Sequence, residues 1–230
     1  MKNYLLLSLI LLIINLKSQE ISKDWANLSK YKAQNIELMK DTLQTERIVL
    51  MGDSITEGWL SFDSSFFHTN KSLINRGISG QTTQQMVLRF RQDVVNLKPQ
   101  IVVIHAGTND IAENTGPITL NEILENLKAM VELAKANKIK VILASVLPAK
   151  EFPWRKDLSP AEKIVSLNKL IEEYAISNDI VYLDYFSNMS DSSFGMKHGL
   201  SYDEVHPTLD GYKVMEPMLI NAIKNLLDKK

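Results

Sequence analysis

The chain has 230 residues, 45% of them hydrophobic and 23% charged, with a formal net charge of −1 and no cysteine. The near-neutral balance leaves no electrostatic footprint for a nucleic-acid partner. Absence of cysteine excludes a disulfide framework, a thiolate nucleophile and a cysteine-ligated metal, and the four histidines (His68, His105, His198, His206) are too dispersed to suggest a histidine-rich metal site.

The first 18 residues stand apart. Lys2 precedes an almost unbroken apolar run from Tyr4 to Leu16, too short to span a bilayer as a helix. Lys17-Ser18-Gln19 follows, with a small residue suited to precede a cleavage point. This is the pattern of a secretory signal peptide, so residues 1–18 are set aside and 19–230 are read as one domain of a secreted or periplasmic protein. No cysteine follows the run to carry a lipid anchor, and no stable membrane insertion of the mature chain is expected.

Residues 22–45 have the spacing of one amphipathic helix, with Trp25, Leu28, Tyr31, Asn35, Leu38 and Met39 on or near one face. Residues 47–52 form a first apolar strand, halted at Gly52 and followed at once by Asp53-Ser54 and a helix-compatible run. Trp59, just beyond, reads as a core residue. Residues 72–78 predict a second strand and 82–96 a helix with Met86, Val87, Phe90, Val94 and Leu97 on its apolar side. Residues 100–106 predict a third strand, in which His105 is expected as a hydrogen-bonded core histidine, whereas His68 and His198 read as surface residues. Thr119-x-x-Glu122 is a capping box opening a helix with Ile123, Leu127, Met130, Val131 and Ala134 inward. A fourth strand is predicted over 140–147, a helix from Ser159-Pro160 to about Ser177, a fifth strand over 180–186, and a last helix over 208–228 that Pro217 should kink or restart.

Strands that are apolar throughout and alternate with helices imply a parallel sheet covered on both faces, in the doubly wound order 2-1-3-4-5. In such a sheet ligands bind beyond the carboxyl ends of the strands at the switch point. The loops after strands two, one and three, which carry Gly80, Ser54 and Asn109, are then neighbours. Asp203 and His206 lie three apart on a loop before the last helix. The connection from 187 to 207, about 20 residues against a usual ~4–6, is long enough to bring them over the sheet.

Together these residues form an acyl-transfer site. Ser54 attacks an ester carbonyl, His206 moves the proton and Asp203 sets its tautomer. The N–H groups of Ser54 and Gly80, with the Asn109 side-chain amide, form the oxyanion hole. Asp53 and Asp110 read as turn and loop organisers; a glycosidase would instead need them as acid and base. The loop 149–158 follows strand four, and Phe152, Trp154 and Arg155 on it are candidates for lining the substrate pocket.

At this point the chain resembles the SGNH (GDSL-type) esterases and acylhydrolases. GDSIT at 52–56, Gly80 in GISGQTT, Asn109 in GTND, and Asp203 with His206 in DEVHP follow that family's blocks in order and cover essentially the whole mature chain. The resemblance implies a flavodoxin-like three-layer α/β/α sandwich and no cofactor. Glu204 departs from the pattern, standing where the family commonly has a small residue, often glycine, and it adds a negative charge beside the triad.

Export, the aromatic loop and the lack of a long apolar lid segment favour O-acetylated carbohydrate as substrate. A lysophospholipase or platelet-activating-factor acetylhydrolase-like lipid esterase is the alternative within the family. A non-catalytic glycan-binding module would not be expected to keep Ser54, Asp203 and His206, and a flavodoxin-type cofactor carrier would need a phosphate-cradling loop in place of GDSIT.

Overall fold

The computed structural model describes residues 24–41 and 46–228; the leader expected over residues 1–18 lies outside the described residues. Strands β1 (Ile48–Gly52), β2 (Leu73–Gly77), β3 (Ile101–His105), β4 (Lys140–Ala144) and β5 (Val181–Leu183) form a parallel sheet in the order β2-β1-β3-β4-β5. Successive side chains along a strand point to opposite faces, and both faces are buried, which is why the strands read as unbroken apolar runs. Val49, Met51, Val102 and Ile104 pack beneath helices α4 (Thr83–Asp93), α6 (Leu120–Ala136) and α7 (Ala161–Ser177). Ile48, Leu50, Ile101 and Val103 face α2 (Ser54–Phe62), α3 (Ser64–Thr69), α8 (Tyr185–Met189) and α9 (Leu209–Asp228).

Register brings the site together. Gly52 pairs with Gly77 on one side and with His105 on the other, so β1, β2 and β3 end level. The loops that follow open onto one edge of the sheet. The start of α2 rests directly on those ends. A Cβ on Gly77 would meet the backbone of Glu57 and Asp53, the latter at 2.7 Å, and one on Gly52 would meet the His105 carbonyl at 2.8 Å. The two glycines allow an approach that any larger residue would block.

Four expectations change. The segment expected as a helix over 22–45 is a series of turns up to Tyr31 and then a shorter helix, α1 (Lys32–Lys40). The Asp24 carboxylate accepts the N–H groups of Leu28 and Ser29, and Asn27 takes a left-handed conformation, both of which compete with helix formation. Its inner side is polar: Asn35 donates to Asp93 (2.6 Å) and accepts from Arg76 (2.8 and 3.0 Å), while Trp25, Leu28 and Met39 stay exposed. The fourth strand ends at Ala144, because the backbone of Val146 bonds the side-chain amide of Asn168 on α7 (2.7 and 2.9 Å). The fifth ends at Leu183, where Asp184 caps α8 through the Ser187 N–H (3.0 Å). The last helix runs from Leu209 to Asp228 without restarting at Pro217.

His105 is buried as expected, but its Nε2 has no hydrogen-bond partner among the described residues, and burial holds its pKa down at about 4. Trp59 is in the core, stacked between Phe66 and Tyr212, whose hydroxyl donates to the Ile55 carbonyl (2.8 Å) and so ties α9 to α2. His68 and His198 are exposed.

Beneath the nucleophile turn lies a fully buried cation that the helical pattern did not single out. Arg89 donates to the Gly52 carbonyl (2.9 Å), the Arg76 carbonyl (2.9 Å), the Gln81 side chain and Asp93 (3.1 Å). One guanidinium thus fastens the ends of β1 and β2 to α4. Removing one partner of a buried ion pair strands the other in a low dielectric. Arg89→Ala is therefore expected to cost about 3–5 kcal/mol, seen as a lower urea midpoint with the same slope.

Candidate active site

Ser54 is the first residue of α2, half-buried, with Asp53 as its N-cap: the Asp53 carboxylate accepts the Ile55 N–H (2.9 Å). This position leaves the Ser54 N–H free of any intrahelical acceptor. Its hydroxyl oxygen lies 2.9 Å from His206 Nε2. His206 Nδ1 lies 2.7 Å from one oxygen of Asp203. The other Asp203 oxygen accepts the N–H groups of Val205 (3.1 Å) and His206 (2.7 Å). One carboxylate therefore shapes the turn and orients the ring at once.

The turn is closed by an antiparallel bridge between Ser201 and Pro207 and by the Tyr202 N–H donating to the His206 carbonyl (3.1 Å). Thr208 anchors it to the start of α9 through the Leu200 and Gly199 carbonyls. Within it Glu204 is exposed and has φ +71°. That left-handed backbone explains why a glycine suits this place, and a residue with a Cβ is strained there by roughly 1–2 kcal/mol.

Gly80 also has φ +76°, and a Cβ there would meet nothing within 4 Å. Conformation, not crowding, calls for glycine at this exposed corner. Asn109 is buried on the short helix α5 (Thr108–Ile111), and its Nδ2 donates to the Gln81 carbonyl (3.1 Å) and to the Asp53 carboxylate (3.3 Å). The loops after β1, β2 and β3 therefore meet through Asn109. Asp110 accepts the N–H and hydroxyl of Thr83, tying the third loop to the start of α4. Asp53 and Asp110 organise turns, and being buried and occupied they are not placed as a glycosidase pair.

The loop 149–158 divides the three candidates it carries. Trp154 lies beside the His206 ring, centroids 6.0 Å apart. Phe152 is fully buried and stacks beneath Trp154 at 5.2 Å, so it supports the loop instead of lining an open pocket. Arg155 is held by Glu113 (3.1 Å), the Ala112 carbonyl (2.9 Å) and Asp157. Only Trp154 reaches the triad.

Asn114 was not distinguishable in the sequence. It accepts from Trp154 Nε1 (3.1 Å) and donates to Asn109 Oδ1 (2.7 Å) and the Gly80 carbonyl (3.3 Å), joining the aromatic loop to both oxyanion candidates. Tyr202, stacked on His206 at 5.7 Å and 15°, was likewise hidden, since an aromatic on a loop carries no periodic signal.

A parallel α/β/α sandwich with a serine at the end of its central strand, facing an imidazole from the loop before the last helix, is the arrangement of the SGNH hydrolases. Residues 50–214 match the GDSL-like lipase/acylhydrolase family, and the chain belongs to that family of ester-hydrolysing enzymes. It is similar to a GDSL-like lipase from Bacteroides thetaiotaomicron, at 48% identity and a TM-score of 0.84, covering 87% of this chain and 98% of that one. The uncharacterized lipoprotein YqeF of Bacillus subtilis is 33% identical over 45% of this chain and 49% of its own length. Esterase TesA of Pseudomonas aeruginosa is 26% identical over 47% of this chain and 58% of its own. The chain spans about half the length of these two curated relatives.

Burial pushes the Asp53 carboxyl up to about 6; the Ile55 N–H and the nearby His206 pull it down, and Asp110 raises it further. An acid whose folded value exceeds its unfolded one, near 3.9, takes up its proton first in the folded state. Its contribution to stability therefore falls as pH rises from about 4 to 6 and stays low above that. Asp53→Asn removes this dependence, so its stability relative to the parent is expected to improve by about 2–3 kcal/mol between pH 4 and pH 8, measured by urea denaturation at both.

Proposed function

We propose that this chain is a serine esterase that hydrolyses O-acyl esters, with O-acetylated carbohydrate as its preferred substrate class. The observation that carries the reading is the unbroken Asp203–His206–Ser54 relay, at 2.7 and 2.9 Å. Ser54 Oγ attacks the ester carbonyl as its proton passes to His206 Nε2, and Asp203 stabilises the resulting imidazolium. The charge on the carbonyl oxygen is met by the N–H groups of Ser54 and Gly80 and by Asn109 Nδ2. The Asn109 donor now spent on Asp53 is the longer of its two bonds, at 3.3 Å against 3.1 Å to Gln81, and is the one exchanged for the oxyanion. Collapse of the intermediate expels the alcohol, protonated by His206, and water then frees the acyl group by the same steps in reverse.

The carbohydrate preference draws support from Trp154 beside His206 and from the apolar run of residues 4–16, read as an export signal ahead of a single catalytic domain from residue 19. The relative named a lipoprotein fits an extracytoplasmic setting. A lipid ester is the second reading, favoured by the name lipase given to the Bacteroides thetaiotaomicron relative.

Ser54→Ala is expected to abolish hydrolysis of p-nitrophenyl acetate while leaving the circular dichroism spectrum and melting temperature unchanged; turnover at the parent rate would refute the nucleophile. Asn109→Ala should lower kcat by about 10²–10³ with little change in KM, because its contact forms as the oxyanion develops. A panel of acetyl and longer p-nitrophenyl esters, an acetylated oligosaccharide and a lysophospholipid separates the two substrate readings.

A further inference from the structure

The ring of His206 sits within a strip of aromatic side chains. Tyr202 stacks on it at 5.7 Å, and Phe62, the last residue of α2, stacks on Tyr202 at 5.7 Å and 18°. Trp154, seated on buried Phe152 and fixed by Asn114, also lies beside the His206 ring, at 6.0 Å. Phe62, Tyr202 and Trp154 are 43%, 59% and 40% exposed. Rings packed this closely bury one another in part, yet each keeps a large accessible area at the site mouth. Trp59, stacked on Phe66 and Tyr212 in the core, is by contrast 3% exposed.

The direction of proton transfer says which part of the substrate meets this strip. His206 takes the proton from Ser54 Oγ and delivers it to the departing oxygen, so that oxygen must come within reach of Nε2. The acyl carbonyl oxygen lies elsewhere, toward the Ser54 and Gly80 N–H groups and Asn109. Tyr202 and Phe62, reached through His206, therefore flank the alcohol, whereas Trp154, tied through Asn114 to Asn109 and Gly80, borders the alcohol and the oxyanion side alike. The two 5.7 Å steps from His206 to Phe62 lead away from the reacting carbon, along a path that a long alcohol can follow. The Trp154 N–H is given to Asn114, but aromatic faces with a hydroxyl at the rim, as in Tyr202, suit a ligand that is apolar on its C–H face and polar at its edge. A pyranose ring has that character. Asp203 and Glu204, the two residues after Tyr202, set negative charge next to the strip and work against an anionic ligand.

We propose that Phe62, Tyr202 and Trp154 form the subsite for the leaving alcohol, and that it takes neutral sugar rings of an acetylated glycan. This inference rests on the esterase reading above and assigns specificity to two residues, Phe62 and Tyr202, outside the 149–158 loop. Binding energy from such a remote contact serves glycan esters and is lost on an ester whose alcohol is small.

The test compares p-nitrophenyl acetate, O-acetylated xylo-oligosaccharides and O-acetylated oligogalacturonate across the parent, Phe62→Ala, Trp154→Ala and Tyr202→Phe. The expected reading is the ratio of kcat/KM for the neutral oligosaccharide to that for p-nitrophenyl acetate. That ratio should fall about tenfold in Phe62→Ala and in Trp154→Ala, through KM, and stay within about twofold in Tyr202→Phe. The parent should prefer the neutral over the acidic oligosaccharide. In a Ser54→Ala background, titration calorimetry with deacetylated xylo-oligosaccharide should show binding weakened by Phe62→Ala, a readout independent of turnover. An unchanged ratio in both alanine variants, or a parent that prefers the acidic glycan, overturns the subsite while leaving the esterase standing. A parent that hydrolyses none of the three esters overturns the esterase reading itself.

Discussion

The structure depends on the close seating of α2 against the ends of β1 and β2. Gly52 and Gly77 have no side chains to hold the helix off, so the first turn of α2 lies on the sheet and Ser54 emerges at its edge. Asp53 caps that turn, and Arg89 grips the Gly52 carbonyl just before it and the Arg76 carbonyl on β2. Tyr212 reaches from α9 to the Ile55 carbonyl and locks the other side. A nucleophile must be held still while its proton leaves, and here backbone, cap and buried cation all constrain the same few residues.

The other residues proposed for the site come from distant sequence and need different means of placement. Register levels the ends of β1, β2 and β3, and the side chains of Asn109 and Asn114 then tie the loops that carry Gly80 and Asn109 to each other and to Asp53. Asp203 and His206 have no strand to carry them. Their turn is built by the Val205 and His206 N–H groups donating to the Asp203 carboxylate, so the group that orients the imidazole also sets the backbone from which it projects. Glu204 takes a left-handed conformation within that turn, a strain held by its neighbours, since the Asp203 carboxylate accepts the Val205 N–H across it.

Several features of this arrangement have no trace in the chain order. The helical pattern of residues 82–96 correctly marks Met86 and Phe90 as inward, yet Arg89 beside them is equally buried, because its partners are carbonyls that only the folded sheet presents. Asn35 on the first helix is the same case, a polar residue on the inner side because Arg76 and Asp93 await it. The loop 149–158 was legible as aromatic, but the division of labour between Phe152 as support and Trp154 as site wall depends on a packing depth that composition does not encode.

Local chemistry in the sequence determined the strands, the order of the sheet, the capping box at Thr119, and the serine, glycine, asparagine, aspartate and histidine on which the chemistry is placed. Period, turn residues and short motifs are written within a few residues of one another, and so can be read from the chain. Tertiary structure decided how β4 ends, which carbonyls hold Arg89 beneath the Ser54 turn, and that Phe62 lines up with Tyr202 and His206. Each of those depends on a partner distant in the chain, and no local pattern specifies what will be opposite a side chain once the layers close.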